Sequence, residues 1–238
     1  MLKLYNERAT WWSLLSPPED YADEAECFWR VFSDVGLPSS PSLLALGCGG
    51  GSNAFRLKTH FAHMTLTDLS AHMLVVSRAL NPDCEHLEGD MRTLWLGRLF
   101  DVVFIHDAID YMTTPQDLRQ AMATPCAQCQ AGGMALFVPD HVHEAFQPST
   151  AHGGRDGKGR ALRYLEWAYD SDDHDTSYVV EFVYLLREDT RPSRVAHEQH
   201  LHGLFTRAEW FRLLFEVGLQ AKIVRDPSER DMFVARRP

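Results

Sequence analysis

The chain has 238 residues, 45% apolar and 24% charged, with a formal net charge of −10. That composition is ordinary for a globular protein, and the acid excess excludes a broad basic face for a nucleic-acid backbone while favouring a small or cationic ligand. No apolar run approaches the ~18 residues of a membrane span, Met1 to Tyr5 opens no signal-peptide core, and five cysteines, an odd number, suit reduced thiols in a cytoplasm better than a disulfide framework.

Residues 1–15 form an aromatic amphipathic segment with Tyr5, Trp11 and Trp12. Ser16-Pro17-Pro18-Glu19 then reads as a capping box with proline at the first helical position. Tyr21, Ala25, Phe28, Trp29 and Phe32 follow at helical spacing, with Gly36 as a stop. This helix precedes the first strand, so it must lie over the sheet or across a site mouth. Its aromatics read as core packing or as a lid, with Tyr5 and Tyr21 the ligand contacts.

Leu43 to Leu46 is a short apolar run suited to a buried parallel strand. It stops in Gly47-Cys48-Gly49-Gly50-Gly51, after which Asn53, Ala54, Phe55 and Leu57 have helical spacing. Strand, glycine turn and helix start make the mouth of a nucleotide-type site, where backbone can approach a ligand closely. A second strand, Met64 to Thr67, ends at Asp68, about 20 residues on, where related folds place the acid that grips a ribose diol. The alternative is that Asp68 caps the helix starting near Ser70.

Cys84 to Glu88 is a third strand, followed by Gly89-Asp90-Met91-Arg92, in which Asp90 can accept from an adenine amino group and Met91 can lie against the ring. Phe100 to Ile105 is a fourth strand ending in His106-Asp107. Thr114-Pro115 opens a capped helix that Pro125 should kink or end early. Cys126 and Cys129 have C-x-x-C spacing without a second pair, a poor case for zinc or redox chemistry. Gly132-Gly133 reads as a turn and Met134 to Val138 as a fifth strand, ending in Pro139-Asp140-His141.

The order so far is a doubly wound parallel sheet. Gln147 to Gly159 reads as a mobile loop. Leu162 to Tyr169, Ser177 to Arg187 and Val195 to Leu204 alternate as strands around an acidic turn, Asp170 to Asp175. Thr206-Arg207-Ala208-Glu209 is a second capping box, Trp210 to Val217 a helix, and Leu219 to Val224 with Met232 to Ala235 a closing hairpin. The expected fold is therefore α/β: a mostly parallel, Rossmann-like sheet with a terminal antiparallel hairpin and an inserted antiparallel β lid. Residues 1–36 would be a helical lid, 37–139 and 206–238 the cofactor domain, and 140–205 a region for substrate or dimer contacts.

Together these features resemble the class I S-adenosylmethionine-dependent methyltransferases. The resemblance covers about residues 43–138 through its motifs and 206–236 through the last helix and hairpin. It implies that Gly47, Gly49 and Gly51 hold the methionine part of the cofactor and Asp68 the ribose, with Leu69 and Met73 beside the adenosine. Asp90 and Met91 would flank adenine, and His106, at the end of the fourth strand, would face cofactor and substrate. With Tyr21, Asn53 and Arg92 these complete the expected cofactor set. One departure is Ala45, where the family usually carries an acid that helps fix the cofactor's amino end. The helical N-terminus and inserted sheet look like the branch that methylates amines on small molecules, amino sugars among them. A nicotinamide pattern fits worse, because its last glycine position is Ser52.

The expected activity is methyl transfer to a nitrogen or oxygen of a small molecule, with S-adenosylhomocysteine as product. A binding sensor without catalysis, or a nicotinamide enzyme, are the alternatives. His141, following the fifth strand, is the first candidate base, with His106, His143, His200 and His202 behind it. The pairs His141-x-His143 and His200-x-His202 could hold a divalent metal if their segments met, but no metal is expected. The partners expected are a small methyl acceptor, neither nucleic acid nor membrane, and either no second copy or one bound through the inserted sheet.

Overall fold

The computed structural model describes residues 2–34 and 36–237; Met1, Val35 and Pro238 lie outside them. Its elements are α1 (Trp12–Leu15), α2 (Ala22–Ser33), β1 (Ser42–Leu46), α3 (Ser52–Leu57), β2 (His63–Asp68), α4 (Ala71–Leu80), β3 (Glu85–Glu88), β4 (Phe100–His106) and α5 (Pro115–Gln128). There follow β5 (Cys129–Val138), β6 (Ser149–Gly157), β7 (Arg160–Tyr169), β8 (Ser177–Glu188), β9 (Arg194–Gly203), α6 (Arg207–Glu216), β10 (Gln220–Arg225) and β11 (Asp231–Arg236). No helix of the described residues is long and apolar enough to cross a membrane.

A seven-stranded sheet has the order β10-β11-β5-β4-β1-β2-β3, and a separate four-stranded sheet the order β6-β7-β8-β9. The first is parallel except for β11, which runs antiparallel to both β5 and β10. Period-two alternation in β1 sends Leu43 and Ala45 to one face and Leu44 and Leu46 to the other. α2 and α3 cover the first face through Phe28, Phe32 and Leu57. α5 and α6 cover the second through Leu118, Met122, Trp210 and Leu214. The capping box of α6 forms as its sequence demands, with Thr206 and Glu209 satisfying each other's backbone amides.

Four local expectations are corrected. Ser16 caps no helix; Pro17 precedes a short 3-10 turn, and the Ser16 hydroxyl bonds the Tyr21 hydroxyl instead. Pro125 does not end α5, which runs on to Gln128 with Pro125 buried in its last turn, where a missing amide sacrifices only one helical bond. Gly132 and Gly133 lie inside β5, which starts at Cys129; the register against β4 jumps there, so the glycines make a bulge. Gln147 to Gly159 is mostly strand β6, paired along its length with β7. Its glycines leave room for the larger partner strand: a Cβ on Gly153 would stand 2.9 Å from the Tyr164 ring.

The N-terminal segment joins the two sheets. Leu4 and Trp11 pack on Leu162, Tyr184 and Leu186 of the four-stranded sheet, and the Leu4 amide donates to Glu198 at 3.1 Å. From there the chain crosses the glycine turn, where Ser70 donates to the Tyr5 carbonyl and Ser52 Oγ to the Ser16 carbonyl at 2.8 Å.

Gly51 fixes the end of that turn at φ +79°, and a Cβ there would stand 2.4 Å from Ser77 Oγ and 2.5 Å from Asn81 Nδ2. Gly51→Ala combines left-handed backbone strain with this clash on α4, and is expected to cost about 2 kcal/mol or more, read as a lower urea midpoint at unchanged slope.

Candidate active site

A cavity of about 660 Å³ opens along the C-terminal ends of β1, β2, β4 and β5 and under the inner face of the four-stranded sheet. Of the residues expected from sequence, Tyr21, Gly47, Gly49, Asn53, Asp68, Leu69, Asp90, Met91, Arg92, His106 and His141 line it. Gly51 and Met73 do not. Gly51 is packed against α4, and Met73 is fully buried beneath Gly49, its methyl 3.8 Å from where a Cβ would be.

One half of the cavity is built by the glycine turn. Gly47 has φ +72°, and a Cβ on it would stand 2.3 Å from Ala108, so the β1 and β4 ends approach as only glycine allows. The Asp68 carboxylate accepts from the Gly49 amide and from the Ser70 amide, each at 2.8 Å. It ties the turn to the α4 start, but Ser70 is the helix cap. Burial raises its pKa against those backbone bonds. Asp90 is clamped by Arg92, which also reaches Asp117 at 2.7 Å, and this holds the Asp90 carboxyl below the usual range.

This half fits the cofactor implied by the resemblance. A Cβ on Gly49 would meet Met73 and Trp12 only at 3.8 Å, each Asp68 oxygen has a lone pair to spare, and the Asn53 carbonyl oxygen is buried without a partner. Trp12 packs against Gly50, a Cβ there falling 2.5 Å from its indole nitrogen.

The other half is acidic. Asp107 comes from the turn after β4, where Asp110 is buried, Asp140 and His141 follow β5, and Glu166, His200 and His202 project from the four-stranded sheet. Asp107 holds a left-handed backbone, φ +32°. Burial, then the charge of Asp140, pushes both the Asp107 and Asp110 carboxyls well up. Burial also lowers the pKa of His141 and His200 and brings His202 to about 4. His200 Nδ1 lies 2.9 Å from the Tyr111 hydroxyl, which lies 2.6 Å from that of Tyr5.

Of the His-x-His pairs, His141 lines the cavity while His143 faces solvent, so the four-histidine arrangement does not form. A different trio does come together, Asp110, Asp140 and His202, with one ligand atom of each within 4.8 Å of the others. Sequence reasoning missed the acids. Asp107-x-x-Asp110 directly after a strand was the available signal. Glu24 and Arg230 left none, since they are 206 residues apart.

His106 is held rather than free. Its Nε2 lies 2.9 Å from Glu24 and 3.0 Å from Asp107, and Arg230 bonds the same Glu24 oxygen. Burial pushes the Glu24 carboxyl up, but the bonds of His106 and Arg230 outweigh it and hold the group at about 2. The resulting stabilisation is present above the unfolded value of 4.5 and is lost as pH falls through the folded value. Glu24→Gln is therefore expected to destabilise by about 3 kcal/mol at neutral pH. In chemical unfolding the gap to the parent protein should close between pH 4.5 and 2.

Comparison with known proteins agrees with this geometry. Residues 43–133 match a family model described as a methyltransferase domain. The chain is 29% identical over 82% of its length, and 77% of the relative's, to a dTDP-3-amino-3,6-dideoxy-alpha-D-glucopyranose N,N-dimethyltransferase of Streptomyces fradiae. It is 27% identical, covering 91% of both chains, to a dTDP-3-amino-3,4,6-trideoxy-alpha-D-glucopyranose N,N-dimethyltransferase of Streptomyces venezuelae. Among solved structures it resembles DesVI of Streptomyces venezuelae, with 25% identity, 92% of each chain covered and a TM-score of 0.83. It also resembles CalS10, an amino pentose methyltransferase of Micromonospora echinaspora solved with S-adenosylmethionine bound, at 25% identity, 92% of each chain and a TM-score of 0.79. The chain carries a methyltransferase domain over residues 43–133 and is similar to S-adenosylmethionine-dependent methyltransferases, amino-sugar N-methylating ones among them.

Proposed function

We propose that this methyltransferase acts on the amine of a small sugar, carried on a nucleotide as in its relatives' substrates. One observation carries the reading. The acceptor half of the cavity gathers Asp107, Asp140 and Glu166, with the single guanidinium of Arg230 within 3.4 Å of Asp107 and 3.8 Å of Asp140. Such a wall attracts an ammonium group and gives a neutral hydroxyl no advantage.

In this reading Gly47 and Gly49 take the methionine part of the cofactor. The free Asn53 oxygen meets its amino end, in place of the acid absent at Ala45. Asp68 accepts from the ribose hydroxyls, with Leu69, Asp90 and Met91 around the adenine. Arg92 fixes Asp90, while Gly51 and Met73 support the turn from behind. S-adenosylmethionine supplies an electrophilic methyl group. The protein's part is alignment, exclusion of water and removal of a proton. His141 is the proton acceptor. It lines the cavity, lies against Phe146 and Tyr178, and burial lowers its pKa, so it is neutral near pH 7. His106, committed to Glu24 and Asp107, positions the β4 end. Residues 1–36 cover the site, 37–139 and 206–238 carry the cofactor, and 140–205 receive the acceptor.

The outer face of the four-stranded sheet exposes Leu165, Trp167, Leu185, Val195 and Leu201. An apolar patch of that kind suits a second copy of the chain. Light scattering should find a dimer that Trp167→Glu with Leu185→Arg makes monomeric.

The main test offers labelled S-adenosylmethionine with TDP-linked amino sugars and their hydroxyl isosteres. Methyl on nitrogen, and none on the isosteres, is expected; transfer to the hydroxyl compounds alone overturns the reading. In calorimetry, Asp68→Ala should weaken cofactor binding about 10- to 100-fold, the loss of hydrogen bonds to a charged group. Unchanged affinity in a folded variant removes the ribose role.

A further inference from the structure

The acceptor half holds one acid that the protein leaves without a partner. Of the acids lining the cavity, Asp68 accepts from two backbone amides, Asp90 is clamped by Arg92, and Asp107 and Asp140 share Arg230. Glu166 lines the cavity too. Among the described residues no donor or cation meets its carboxylate, and burial, then the charge of Asp140, raises its pKa. Glu198 stands in the same cross-strand row, with Phe182 between the two. It has what Glu166 lacks: the Leu4 amide donates to it at 3.1 Å, and Arg8 pairs with it. Glu166 is only half-buried, so solvent serves it until a ligand fills the cavity.

The strand register sets Glu166 apart from the reacting nitrogen. The inner face of the four-stranded sheet lines the cavity in successive rows: Glu166 with Phe182, then Ala168 with Val180, then Tyr178. The His141 ring lies against that of Tyr178, centroids 5.5 Å apart. Tyr178 and Phe182 are four residues apart on β8, about 13 Å of strand. Ala168 and Val180 make an apolar step between them. The sheet therefore presents the His141 end, the apolar step and an unpaired carboxylate in that order.

We infer that Glu166 accepts from a ring hydroxyl of the acceptor sugar, on a carbon other than the one bearing the amine, and selects acceptors that carry it; the inference rests on the amine-acceptor reading above. The charge of Glu166 adds to the field that draws the ammonium in, but its contact is with this second group. An acceptor with the hydroxyl restores the bond that solvent supplied. One without it covers the carboxylate and returns nothing, so the exclusion of water turns an unmet acceptor into a penalty. A site of this kind rejects the deoxy analogue more strongly than an apolar pocket rejects a missing methylene.

The test uses the whole protein with a TDP-linked amino sugar and a set of its analogues, each lacking one ring hydroxyl. The parent should lose about tenfold or more in kcat/KM on one analogue. Glu166→Leu should bring that ratio to about one by failing on the hydroxylated compound, and Glu166→Gln, which keeps a neutral acceptor, should fall between. Cofactor affinity in calorimetry should match the parent's. Because burial disfavours the Glu166 charge, both variants should unfold at a urea midpoint no lower than the parent's at pH 7; a glutamate with a structural role would lower it. A ratio that stays parental in Glu166→Leu overturns the hydroxyl contact and leaves the amine reading intact. An equal loss on every member of the set overturns it as well, in favour of a grip on the ammonium itself. If the parent binds the cofactor yet methylates no member of the set, the amine reading fails and this contact with it.

Discussion

The site is organised around one half-buried guanidinium. Arg230, in the turn of the C-terminal hairpin, reaches Glu24 of α2, Asp107 after β4, Asp140 after β5 and Asp226 of its own turn. These acids come from four parts of the chain and would repel one another without it. Breaking a partly buried cluster by removing its cation costs more than the cluster contributes over apolar packing. Arg230 is thus better understood as a device of placement than as a source of net stability. It sets where the ends of β4 and β5 stop, and so where the cavity floor lies. It also leaves a remainder, because one positive charge cannot neutralise all the carboxylates in reach. That remainder, at Asp107 and Asp140 with Glu166 facing the same cavity, is what the amine-acceptor proposal rests on.

The two halves have different structural origins. The cofactor half is the rim of a parallel sheet, built from strand ends and a glycine turn, and its geometry is local. The acceptor half exists only because β6 to β9 fold back over that rim and bring Glu166, His200 and His202 down onto it. The N-terminal segment binds the halves together. Its Leu4 and Trp11 are anchored in the four-stranded sheet, its Trp12 rests on Gly50, and the Tyr5 hydroxyl meets that of Tyr111, which in turn meets His200. Little of this strap is regular helix, so its grip depends on a few side chains. Elements of that sort open at low cost, as ligand entry through a covered site requires.

The legible part of the chain was the part whose meaning is local. The Leu43 to Asn53 stretch reads as strand, turn and helix because apolar run, glycine and helical spacing all act within a few residues. The same holds for Thr206 to Glu209, whose capping bonds close over three positions, and for the succession of strands and helices along residues 43–138. Misreadings came where tertiary packing overrode local signals. Gln147 to Gly159 has a loop's composition, but β7 offers it a complete ladder, and the glycines are what let Tyr164 fit. Gly51 carries a motif's position, yet its lack of a side chain serves α4 rather than a ligand.

The acids of the acceptor half were illegible for a related reason. Asp107, Asp110 and Asp140 each look like a turn residue where they stand, and only the β4–β5 pairing makes them neighbours. Asp101 shows how little a single aspartate reveals: it bonds the Ser42 amide and hydroxyl at 2.8 and 2.7 Å across the far end of the same sheet, a structural contact with no part in the cavity. What separates the two kinds of aspartate is whether the protein has satisfied them. Asp101 has its donors. Asp110 accepts one amide and lies beside Asp140, and burial with that charge pushes its carboxyl well up, the response of a buried acid that its surroundings do not fully pair.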